Sequence, residues 1–102
     1  MKNIDEKPSP GVEKFLGEFY QDRREELDQL KVLSKEVNYS EVKKIVHRWK
    51  GFCAPYGFNT LGEIAKEIQK SIEVEDYAHI NTLLEEVELY LNDKAKELGE
   101  NA

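Results

Sequence analysis

Residues 38–54, NYSEVKKIVHRWKGFCA, set the architecture of this chain. Val42, Ile45, Val46, Trp49, Phe52 and Cys53 recur at the three- and four-residue intervals of an α-helix and do not alternate as a strand would. Asn38 is a favoured residue to precede a helix, and Glu41 three residues later completes the pattern of a capping box. The helix is expected to stop near Ala54, because Pro55 disfavours helical backbone in the residue before it and Gly57 suits a turn.

The same periodicity lies on either side. Upstream, Val12, Phe15, Leu16, Phe19 and Tyr20 form a stripe that Leu27, Leu30 and Leu33 continue. Gly17 interrupts it and marks a bend or the boundary between a short helix and a longer one. Downstream, Leu61, Ile64, Ala65, Ile68 and Ile72 follow Thr60, whose partner Glu63 suggests a second capping box. Tyr77, Ile80, Leu83, Leu84, Val87 and Leu91 follow Asp76, with Gly99 a natural stop after Leu98. Four amphipathic helices on short connections pack most simply as an all-α, antiparallel up-down-up-down four-helix bundle. Residues 1–10, holding two of the three prolines, read as a flexible N-terminal tail, which leaves residues 11–99 for the bundle.

A chain of 102 residues has room for one domain. Its formal net charge of -6 argues against nucleic acid as a partner. The single cysteine, Cys53, excludes an internal disulfide, and there is no apolar run long enough for a membrane span or a signal peptide. A cytoplasmic, monomeric protein is the expectation. The net charge conceals an uneven distribution. Between Glu41 and Glu63 no acidic residue occurs, while Lys43, Lys44, Arg48 and Lys50 do.

On a helical wheel, His47 lies opposite Ile45 and Trp49 and so points to solvent. Lys43 and Lys44 sit one turn before it, Lys50 and Gly51 one turn after, and Ala54 two turns on. Glycine in a helix interior costs about 1 kcal/mol relative to alanine. Close approach of another body, or of a group carried on the imidazole, would account for it. Lysines beside an imidazole favour its neutral, nucleophilic form and stabilise an anion attached there. The plain alternative is a solvated basic face with an incidental histidine. His79, the other histidine, has no spacing that suggests a metal site, and no cofactor motif is present. Cys53 falls on the apolar side and reads as a small buried hydrophobe.

The run His47-Arg48-Trp49-Lys50-Gly51, with Gly57 ten residues after the histidine, resembles the signature of histidine phosphotransfer (HPt) domains. The likeness extends over roughly residues 11 to 98 and includes the stripe Ile64-Ala65-Lys66-Glu67-Ile68-Gln69. It implies that His47 is the phosphoacceptor through Nε2, that Lys50 neutralises the phosphoryl group and that Gly51 leaves room for it. It also implies that Gln69 hydrogen-bonds the imidazole and orients it. Such domains are phosphocarriers that hold no cofactor of their own. The divalent metal and acidic pocket belong to the receiver domain of a partner response regulator. Receivers, and a hybrid histidine kinase, are thus the implied partners, with Lys43, Lys44, Arg48 and Ala54 as the docking surface. Phe52, Cys53 and Pro55 depart from the small residues of many members and put the local helix end in question. The expected function is transfer of a phosphoryl group within a two-component phosphorelay. The alternative is a non-catalytic helical adaptor that binds a receiver or kinase without carrying phosphate.

Overall fold

The computed structural model describes residues 6–99, and among them every regular element is helical. A short 3-10 turn, Glu13–Phe15, leads into α1 (Leu16–Lys35). There follow α2 (Tyr39–Phe52), a second 3-10 turn (Ala54–Tyr56), α3 (Asn59–Glu73) and α4 (Tyr77–Leu98). The break in the first stripe falls at Phe15, and Gly17 lies inside the first turn of α1.

Each helix turns one apolar stripe inward. Leu27 and Leu30 of α1, Val42, Val46 and Trp49 of α2, Leu61, Ala65 and Ile68 of α3, and Ile80, Val87 and Leu91 of α4 are buried in one core. The helices close in a ring, with α1 against α2 and α4, and α3 against α2 and α4. Across α1 and α4, Arg24 donates to Asn92 at 3.0 Å and the Ser34 hydroxyl lies 3.5 Å from the Asn81 side-chain oxygen. No helix of the described residues is long and apolar enough to cross a membrane.

Neither capping box forms. Asn38 does precede α2, but its side-chain oxygen accepts from the Ser40 hydroxyl at 3.3 Å, while Glu41 pairs with Lys44 at 3.0 Å. Helix α3 starts at Asn59, one residue before the expected Thr60, and Glu63 turns to Lys66. The Thr60 N–H is satisfied from the far end of the chain, by Glu6 Oε2 at 2.6 Å. Glu6 Oε1 accepts from the Tyr90 hydroxyl at 2.7 Å and lies 3.3 Å from Lys94 Nζ. Burial alone would push the Glu6 carboxyl up; the hydrogen bonds from Thr60 and Tyr90 and the charge of Lys94 outweigh it and hold it below the usual range.

Residues 1–5 of the expected flexible tail lie outside the described residues. Residues 6–10 are tied down by Glu6 and by the Ser9 N–H, which donates to the Pro55 carbonyl at 2.7 Å. They pack on Gly57, whose φ is +80° and where a Cβ would come within 2.8 Å of the Pro8 nitrogen. Both facts require glycine there.

The end of α2 settles the place of Phe52, Cys53 and Pro55. Phe52 sets its ring edge-to-face against Phe19, with centroids 5.7 Å apart, and Phe19 stacks on Tyr56 at 4.1 Å. Cys53 is fully buried, and Pro55 supplies the carbonyl that holds residue 9. All three serve the packing of the turn between α2 and α3.

At the opposite end the α1–α2 and α3–α4 turns share one geometry. Val37 (φ 58°) and Glu75 (φ 60°) are left-handed, and the next N–H groups, of Asn38 and Asp76, each donate at 2.8 Å to the carbonyls of Leu33 and Ser71. Tyr39 and Tyr77 stack at 4.2 Å between the two turns.

Candidate functional site

Burying Val42, Ile45, Val46 and Trp49 leaves His47 on the outer face of α2, exposed to solvent. The rotation of α2 about its own axis is fixed from α1. Trp49 Nε1–H donates to Glu26 Oε1 at 2.6 Å, and Arg23 Nε donates to the same oxygen at 2.8 Å. The Arg23 guanidinium in turn covers the rings of Phe19 and Phe52, at 4.4 and 4.7 Å from their centroids. A buried indole N–H needs an acceptor. The apolar spacing of Trp49 marks it as buried, but which carboxylate meets its N–H depends on how α1 packs against α2.

The basic residues differ in their surroundings. Lys43 lies 3.7 Å from Glu73, Lys44 3.0 Å from Glu41, and Arg48 3.6 Å from Glu26. The two lysine pairs are exposed on both sides, contribute little and exchange readily with another anion, whereas Glu26 is mostly buried beneath the exposed Arg48. Lys50, one turn after His47, is exposed and has no carboxylate within 4.0 Å among the described residues. Gly51 is exposed, and a Cβ built on it would meet nothing within 4 Å. Packing therefore does not demand glycine there. Ala54 is also exposed, but it opens the 3-10 turn beyond α2 rather than riding on the helix.

Gln69 comes from α3. It lines one groove with Ser40, Lys43, Lys44, His47 and Arg48, so the fold does bring it to the histidine. Its Oε1 is buried and has no hydrogen-bond partner among the described residues. No hydrogen bond joins it to His47 among the described residues.

Two other candidates stay apart from the site. Burial pushes the Cys53 thiol up to about 12, against the smaller opposing effect of Arg23, which makes it inert at neutral pH. His79 is exposed on the first turn of α4, and among the described residues no group of three or more His, Cys, Asp or Glu side chains could hold a metal ion.

No protein-family model, curated protein or solved structure matches this chain. The chemistry of the site must speak for itself. An exposed imidazole stands beside an ammonium group that has no carboxylate partner among the described residues, on a surface left open by glycine. Such an arrangement can take on and hold a compact anionic group.

Proposed function

We propose that the chain is a histidine phosphotransfer protein of a two-component phosphorelay, an antiparallel up-down-up-down bundle that works as a cytoplasmic monomer. His47 is the phosphoacceptor. The Nε2 lone pair forms an N–P bond while the P–O bond to a receiver aspartate breaks, and the electron pair leaves on that carboxylate. The product is a phosphoimidazolium that still carries its Nδ1 proton, and the reverse step passes the group to another receiver. Lys50 offsets phosphoryl charge, Gly51 leaves space for the group and for the docking partner, and Gln69 orients the imidazole through its free carbonyl oxygen. Lys43, Lys44, Arg48 and Ala54 contribute the docking surface, with the two lysines exchanging their weak ion pairs for acidic groups of the receiver and the exposed Arg48 guanidinium offering its free edge. The receiver or a hybrid histidine kinase brings the divalent metal and the catalytic pocket.

One observation carries this reading: an outward imidazole on α2 flanked by a Lys50 with no carboxylate partner among the described residues and by a Gly51 that packing does not require. The test is to incubate the protein with a phosphorylated receiver and measure acid-labile phosphate on it. His47→Gln is expected to take up none, and Lys50→Ala to accept it more slowly while staying folded. Acid-labile label persisting in His47→Gln removes the assignment. Receiver binding without any label on the wild type would favour the adaptor instead.

A further inference from the structure

Two grooves run along the outer edge of α2, and Gln69 lines both. One contains His47; the other is lined by Lys50, Lys66, Gln69, Lys70 and Glu73. Residue numbers fall along α3 as they rise along α2. Lys43 pairs with Glu73, Gln69 shares a groove with His47, and Lys66 shares one with Lys50. Further on, a Cβ at Gly62 would lie 3.9 Å from the Trp49 carbonyl oxygen. Residues 66, 69, 70 and 73 thus form one stripe at helical spacing that faces the outer edge of α2. Lys70 shares its groove with Lys50, which stands one turn from His47 on α2, and with Gln69, which also lines the groove of His47.

The lysines along this seam are not equivalent. Lys43 is engaged by Glu73, and Lys66 by Glu63 at 3.5 Å. Neither Lys50 nor Lys70 has a carboxylate within 4.0 Å among the described residues. A phosphoryl group bears a charge of about -1.5 to -2 near neutral pH, more than a single ammonium offsets. We infer that Lys70 is the second cation of the phosphoryl site, holding the group on His47 from α3 while Lys50 holds it from α2. The inference rests on His47 being the phosphoacceptor. It makes the seam between α2 and α3, rather than α2 alone, the seat of the anion.

Phosphoramidate tests both levels, because it donates its phosphoryl group to imidazole without a partner protein. Its N–P bond breaks, ammonia leaves, and a new N–P bond forms on the ring. Loading of His47 is followed by phosphorus NMR in wild type, Lys70→Ala, Lys70→Arg and Lys50→Ala, with His47→Gln and the α4 surface variant Lys96→Ala as controls. Lys70→Ala is expected to load about fivefold more slowly at low salt, as suits one charge-assisted contact. Lys70→Arg should restore the rate, and the deficit should shrink in about 0.5 M salt, where screening acts within a few ångströms. Lys96→Ala should match wild type. A wild-type rate in Lys70→Ala, an equal loss in Lys96→Ala, or failure of arginine to rescue overturns the role of Lys70. Equal uptake by wild type and His47→Gln overturns the reading of His47 itself, and Lys70 with it.

Discussion

Replacing Gly51 by alanine should push stability and phosphotransfer in opposite directions. A glycine inside a helix costs about 1 kcal/mol relative to alanine. Gly51 is the last residue but one of α2, so only part of that restriction applies, and a gain of about 0.5 kcal/mol is expected. No steric term opposes it, because the new Cβ meets nothing within 4 Å. For a domain of this size the gain should raise the melting temperature by roughly 2–4 °C. Transfer is expected to move the other way. A methyl group forced into a closely packed contact costs about 1–3 kcal/mol, roughly a fivefold to hundredfold loss of rate. The paired assays are thermal unfolding by circular dichroism and the rate of phosphoryl transfer from a receiver, each on wild type, Gly51→Ala and Gly51→Leu. A lower melting temperature for Gly51→Ala would show that the surface there is not open. Wild-type transfer in Gly51→Leu would show that no partner approaches this glycine.

Two further outcomes follow from the packing. Glu6→Ala removes the partners of the Thr60 N–H and the Tyr90 hydroxyl and one of the two carboxylates on the buried Lys94, leaving it Glu97 at 2.9 Å, and should destabilise the bundle by roughly 3 kcal/mol in chemical denaturation. The Glu6 carboxyl is held below its ordinary value of 4.5, so its contribution is fully present above that pH and is lost as pH falls through the folded value. The gap between wild type and Glu6→Ala should therefore narrow in acid; a gap that widens would be incompatible with a charged Glu6. Val37→Gly should be more stable than wild type by about 1 kcal/mol, since a left-handed β-branched residue costs about 1–2 kcal/mol, partly offset by the freer unfolded glycine. Val37 is 66% exposed, so little packing is lost, and a less stable variant would refute the strain.

Much of the local structure was legible in the residues. The intervals of Val42, Ile45, Val46 and Trp49 made α2 a helix and turned His47 outward, and Gly99 ended α4 in the left-handed conformation expected of it. Helical periodicity is a property of a dozen neighbouring residues, so it needs no knowledge of the rest of the chain. The capping boxes failed for a related reason. Asn38, Glu41 and Glu63 had the right spacing, but each found another partner within four residues, and the N-terminus of α3 was capped by a carboxylate much earlier in the chain.

By itself, then, the sequence determined four helices, the apolar face of each and the outward histidine with Lys50 and Gly51 beside it. Tertiary structure alone decided what surrounds that histidine. Gln69 comes to share a groove with His47, and Lys70 one with Lys50, only because α3 packs beside α2 in one register, and Glu26 reaches Trp49 only because α1 lies on the other flank. A helical wheel gives the angle of a side chain about its own axis. The distance to a side chain on another helix depends on how the two stripes interlock, and that is set by the shape of the shared core.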